Sequence, residues 1–308
     1  RAVGLNVVRG FCMGAADVVP GVSGGTVALV LGIYHRLVSS IQSGSSAIGN
    51  LLRGDVRGFR DRLRSVEWVF LISLLSGIGL AVLTLAHLIE TLLEDRPSEM
   101  AGLFMGLVGG SVVIAWDLLR RRDAARWAVL LASGVVTFML LGLSSGTSED
   151  AVQQISDPAW WAFLGSGAIA ICAMILPGIS GSFLLVVMGM YGAVLGAVTD
   201  RALVSVVLFG LGCIVGLGLF SQVLHWALNR HYDTVMAALI GLMLGSVRVL
   251  WPWPEGVDST EIEAPSDPVA LPIVLAVVGF VVVVVVGRVT RQLEHRSTAD
   301  EVADLQAS

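Results

Sequence analysis

The chain has 308 residues, of which 55% are hydrophobic and only 14% charged, with a mean hydropathy of +0.83. This excludes an ordinary soluble domain, and several apolar stretches are long enough to span a bilayer, so the chain reads as an all-α polytopic membrane protein. Its net charge of −5 says little by itself, because what matters is where its 19 basic residues, all arginine, fall along the chain; no nucleic-acid partner is expected.

The first apolar stretch, 11–41, is interrupted by Pro20-Gly21-Val22-Ser23-Gly24-Gly25-Thr26 and runs on to Gly32-Ile33-Tyr34. A basic loop follows, with Arg53, Arg57, Arg60, Arg62 and Arg64. Crossings are expected at 68–90, 100–119 and 127–143, separated by an acidic link at 94–99 and by Arg120, Arg121, Arg122 and Arg126. The polar stretch 144–158 reads as an external linker.

The second half repeats the plan. Its broken segment, 160–198, carries Pro177-Gly178-Ile179-Ser180-Gly181-Ser182 and then Gly189-Met190-Tyr191, followed by crossings at 202–228, 235–250 and 269–287 and a tail at 292–308. Gly106-Leu107-Val108-Gly109-Gly110-Ser111-Val112 also matches Gly241-Leu242-Met243-Leu244-Gly245-Ser246-Val247. Residues 1–143 and 159–291 are therefore read as two repeats, each a re-entrant broken-helix hairpin plus three transmembrane helices. An odd number of crossings per repeat makes the two topologically inverted.

The arginines support this arrangement. With both hairpins re-entrant, most of the 19 arginines fall on one side together with both termini, and the acidic segments 94–99, 144–158 and 251–268 fall on the other. Basic residues flanking spans mark the cytoplasmic face, so both termini are expected to be cytoplasmic. The arm from Phe11 to Val19 is shorter than the roughly 17 to 25 residues of a crossing.

Non-helical backbone at membrane depth is tolerated where it is buried in protein or lines a polar cavity. Transporters built from inverted repeats bind substrate near the midplane, with half-helix N-termini aimed at an anionic group. The candidate phosphate-binding residues are therefore Ser23, Gly24, Gly25, Thr26, Ser180, Gly181 and Ser182, together with Arg248, which breaks an apolar run and is either an anion ligand or a snorkelling interface residue. Asp17, Pro20, Gly21, Pro177 and Gly178 are assigned to coupling or to the shape of the tips. Asp17, a carboxylate in an apolar segment whose counterpart is Met174, is a functional candidate by its insertion cost alone.

Tyr34 and Tyr191 are candidate substrate contacts, with interfacial placement the alternative. Trp160, Trp161, Trp251 and Trp253 read as belt anchors. Cys12, Cys172 and Cys213 make no disulfide framework, and the five histidines stand at no metal-ligand spacing, so neither metal nor cofactor is expected.

The doubled motif, Asp17 to Thr26 with Gly32-Ile33-Tyr34 and Pro177 to Ser182 with Gly189-Met190-Tyr191, resembles the bacterial polyprenyl-phosphate transporter family. So does Gly245-Ser246-Val247-Arg248-Val249-Leu250-Trp251-Pro252. The resemblance covers nearly the whole chain. It implies translocation of undecaprenyl phosphate from the outer to the inner leaflet of the bacterial plasma membrane, with a polyprenyl phosphate lipid and the bilayer as partners and no enzymatic activity. The residues alone leave two other readings open: a transporter or channel for a small soluble anion, and a polyprenyl-lipid phosphatase, for which the chain lacks lysines and clustered histidines.

Overall fold

A computed structural model describes residues 2–17, 23–142, 155, 158–178, 181–256, 259 and 261–307. The expected linker at 144–158 lies almost wholly outside them, as do Pro20, Gly21 and Ser180 of the two breaks. The first segment forms α1 (Ala2–Asp17), α2 (Gly24–Val30) and α3 (Tyr34–Leu52). The arginine-rich stretch expected to be a loop is instead a helix, α4 (Val56–Ser65), because Asp55 accepts from Gly58 N and caps its start.

Three long helices follow, α5 (Trp68–Asp95), α6 (Pro97–Leu118) and α7 (Ala124–Leu141). The second half forms α8 (Trp160–Ile175), α9 (Gly181–Val187), α10 (Tyr191–Thr199), α11 (Leu203–Arg230), α12 (Tyr232–Ser246) with a 3-10 turn (Val247–Leu250), and α13 (Ala270–Ala307). Six of these helices, α5, α6, α7, α11, α12 and α13, are long and apolar enough to cross a membrane, so the protein is a multi-pass all-α membrane protein. At 16 residues each, α1 and α8 reach only about 24 Å, short of the ~30 Å hydrocarbon core.

Apolar side chains gain little by leaving lipid for one another, so close backbone approach at small residues decides which helices pair. Four parallel pairs result. A Cβ on Gly10 would collide with Leu74 O of α5, and one on Gly14 with Ile78 O. On α11, Gly212 abuts Leu164 O and Gly216 abuts Ala168 O of α8. Gly102 and Gly106 of α6 lie on Pro272 and Ala276 of α13, while Gly241 and Gly245 of α12 lie on Leu130 and Gly134 of α7.

The first two pairs lie within one half of the chain, and the last two join the halves. The repeated glycine motif thus holds each half's second long helix against the third long helix of the other. Asp233 strengthens the join, accepting from Arg120 N and Arg121 N at 2.8 and 3.3 Å.

Two tryptophans read as belt anchors serve the loop after α12. Trp253 is only 4% exposed, and its Nε1–H donates to Ser266 O, while Trp251 Nε1–H donates to Glu263 O. Trp160 and Trp161, by contrast, are exposed.

Candidate functional site

The two breaks meet inside the bundle. Gly14 lies against Ala81, thirteen residues along α5 from Trp68, which puts the end of α1 about 20 Å in from the start of α5. At that depth Ser23 N-caps α2 in extended conformation, its Oγ accepting from Gly25 N at 3.1 Å. The same hydroxyl donates to Met174 O at 2.9 Å, near the end of α8. Tyr34 OH donates to the next carbonyl, Ile175 O, at 3.1 Å. Thr26 Oγ1 accepts from Gly178 N at 3.2 Å.

Three side chains of the first break therefore satisfy backbone groups at the second. The last carbonyls of a helix have no partner within it, and these buried side chains supply one. Glycine is required where the pieces touch. A Cβ on Gly25 would stand 2.5 Å from Ile175 O. Gly178 has φ +89°, and its missing Cβ would be 2.8 Å from the Met243 backbone of α12.

Asp17 is the asymmetric element. Its Oδ1 accepts from Gly24 N at 2.6 Å, so the carboxylate sits on the start of α2. At the matching place in the second half, the side chain of Met174 lies over Gly181 at the start of α9. Between the two runs a cavity of about 290 Å³, lined by Asp17, Ser23, Met174, Gly181 and Ser182 and walled by Leu185, Phe209 and Cys213. Its lining is mainly apolar, with Asp17, Ser23 and Ser182 as its polar side chains.

The structure thus brings Asp17, Ser23, Gly181 and Ser182 together around one cavity, with Gly24, Gly25 and Thr26 buried behind them. In this conformation the N–H groups of Gly24 and Gly25 are taken by Asp17 and Ser23. Pro177 and Gly178 are buried. Arg248 does not line the cavity. Its guanidinium lies 4.8 Å from the Phe138 ring and against Gly142, although its neighbour Val249 packs with Leu184 of α9. Tyr34 is buried with its hydroxyl committed to Ile175, and Tyr191 packs against the cluster of Phe163, Leu185 and Met190.

One polar cluster is invisible in the linear chain. His35 Nε2 lies 3.3 Å from Asn229 Oδ1, and Asn229 Nδ2 lies 2.9 Å from His225 Nε2, linking α3 to α11. The spacing of 225 and 229 marks one helix face, but nothing local points to His35.

Six helices able to span a bilayer, with a mainly apolar cavity between the two helix breaks, define a multi-pass membrane protein with an internal cavity. The chain belongs to the undecaprenyl phosphate translocase-like family, whose model matches residues 13–266. It is similar to the polyprenyl-phosphate transporter of Vibrio cholerae, 41% identical over 251 residues that cover 80% of this chain and 77% of the relative. It is also similar to the polyprenyl-phosphate transporter of Staphylococcus aureus, 28% identical over 302 residues covering 94% and 98%. No solved structure matches it.

Proposed function

We propose that this protein carries a polyprenyl phosphate, undecaprenyl phosphate in particular, from the outer to the inner leaflet of the bacterial plasma membrane by alternating access. The two halves act as inverted repeats with both termini cytoplasmic, and the phosphate passes between the tips while the isoprenoid tail stays among the lipids. The names of the two relatives and the family support the substrate class. The parallel cross-half pairs of α6 with α13 and α7 with α12 support the symmetric arrangement.

The observation that carries the mechanism is the Asp17 carboxylate on Gly24 N at the wall of the cavity. It occupies the place an anionic headgroup would take. A phosphate arriving about 4 Å from an ionised Asp17 would be repelled by roughly 4 kcal/mol at an effective dielectric of about 20. The phosphate therefore binds with Asp17 protonated, which also weakens its hold on Gly24 N and releases that donor to the ligand. One proton enters with each phosphate, and Ser23, Gly181 and Ser182 complete the headgroup's contacts. Arg248, one residue from Val249 beside α9, is assigned to the same anion in the alternate conformation.

Leaflet-resolved transport in proteoliposomes tests this. Asp17→Asn is expected to transport with a weaker pH dependence than wild type, keeping only the part that the titration of the phosphate itself imposes near its second pKa of about 6. Ser182→Ala is expected to lower the rate at least about tenfold, the equivalent of ~1.4 kcal/mol. Unchanged rates and pH profiles in both variants would remove the tips from the mechanism. Equal competition by short-chain and polyprenyl phosphates would point to a soluble anion, and release of inorganic phosphate from polyprenyl pyrophosphate would point to an enzyme.

A further inference from the structure

Helix α4 has no part in the tip site, yet its residues are ordered in a definite pattern. At 3.6 residues per turn, Val56, Phe59 and Leu63 share an arc of about 60°. Arg60, Arg64 and Arg57 follow within about 100° on one side of it, and Arg62 stands about 60° away on the other. An apolar edge flanked on both sides by arginine is the layout of a helix that lies in the membrane surface.

The surroundings of α4 agree. None of its residues is buried: Val56 is 65% exposed and Phe59 and Leu63 are half-buried, so packing on α3 leaves part of the apolar edge uncovered. Its main neighbour is α3, whose polar run through Ser39, Gln42 and Ser43 keeps it out of the set of spanning helices. The end of α4 is tied to the first turn of a span: Trp68 Nε1–H donates to Leu63 O at 2.9 Å, and Glu67 is bound by Arg36. The helix is thereby fixed at the level where α5 enters the membrane.

The charges are unspent as well. Arg36, Arg96 and Arg126 each have a carboxylate partner. Among the described residues no ion pair engages Arg53, Arg57, Arg60, Arg62 or Arg64, and only Asp55 and Asp61 oppose them within the segment.

We infer that α4 is an interfacial docking helix for anionic phospholipid, with Val56, Phe59 and Leu63 entering the boundary between headgroups and chains and Arg57, Arg60 and Arg64 holding lipid phosphates. Each arginine near an anionic surface favours it about fivefold. Anionic lipid is therefore enriched several-fold around α4, and salt screens the effect. This assignment stands apart from the reading of the tip cavity.

The test uses the full-length protein with Cys12, Cys172 and Cys213 replaced by serine and a bimane probe on Phe59→Cys or, on the opposite side of the helix, Ser65→Cys. The protein is reconstituted in phosphatidylcholine vesicles containing phosphatidylglycerol, with one or the other lipid brominated at equal mole fraction. Brominated phosphatidylglycerol is expected to quench the residue 59 probe several-fold more than brominated phosphatidylcholine, and the residue 65 probe is expected to be quenched by aqueous iodide. The preference should disappear at about 1 M salt and in Arg57→Gln/Arg60→Gln/Arg64→Gln. The salt arm needs no arginine variant and so is independent of any folding defect. Iodide quenching at residue 59 would overturn the interfacial placement. Equal quenching by the two lipids at low salt would overturn the anionic-lipid assignment.

Discussion

Replacing Ser23 with alanine is expected to loosen both tips at once. The hydroxyl caps α2 through Gly25 N and satisfies Met174 O at the end of α8, in a position where Ser23 is 2% exposed. Losing a serine N-cap costs about 1 kcal/mol. Leaving a buried carbonyl without its donor costs about 1–3 kcal/mol. The total of roughly 2–4 kcal/mol corresponds, for a chain of this length, to a fall of about 3–6 °C in Tm. Tyr34→Phe removes the donor to the adjacent carbonyl, Ile175 O. Since both bonds close the same helix end, the double variant should depart from additivity by more than about 0.5 kcal/mol. Thermal unfolding of the purified protein, followed by loss of helical circular dichroism, measures all three variants. A Ser23→Ala Tm within about 1 °C of wild type, together with strict additivity, would refute the view that the first tip holds the second.

Gly25→Ala is expected to abolish properly folded protein, because its Cβ would stand 2.5 Å from Ile175 O. Gly210→Ala on α11, with nothing within 4 Å, should be neutral or gain up to about 1 kcal/mol in stability. Yield of monodisperse protein and Tm distinguish the two. The Arg36 guanidinium, hydrogen-bonded to Glu67, holds that carboxyl below its usual range. A depressed folded-state pKa means the pair's stabilisation is present above the ordinary value of about 4.3 and is lost as pH falls through the lower folded-state value. Both side chains are about half exposed, at 42% and 46%, so solvent screening limits the contribution to less than about 1 kcal/mol. Wild type and Glu67→Gln should therefore differ by no more than about 2 °C in Tm at pH 7 and converge as pH falls through that lowered carboxylate range.

The long helices were legible because apolar length is a local property; each stretch expected to cross overlaps one of the six spanning helices. The doubled breaks were legible for the same reason, since Pro-Gly-x-Ser-Gly announces itself wherever it falls. Which groups the breaks would satisfy was not. Ser23 and Tyr34 find carbonyls some 140 to 150 residues away, and only the folded chain brings them together. Asp17 stood out as a carboxylate in an apolar segment, but its role as a cap depends on the turn that returns Gly24 to it.

The helical character of α4 was masked by Gly54, Gly58 and the density of arginine, which read as a loop until Asp55 is recognised as a cap. Arg248 drew attention as a charge in an apolar run, and its aromatic partner Phe138 lies on a helix from the other half. The repeated glycine motif was visible as a repeat, whereas its purpose as a packing face required knowledge of the helices it meets.

The exchange of long helices between halves has a consequence for how the molecule is made. Among the described residues the glycine face of α6 packs on α13, which is made long after it, and α7 likewise waits for α12. The N-terminal half thus cannot finish assembling while the rest is being translated; it must remain in the bilayer, partly unmated, until residue 270 and beyond have been inserted. A chain terminated before that point would leave Gly102 and Gly106 without the helix they pack on. The same dependence means that two separately expressed halves carry, in their glycine faces, the instructions for finding each other.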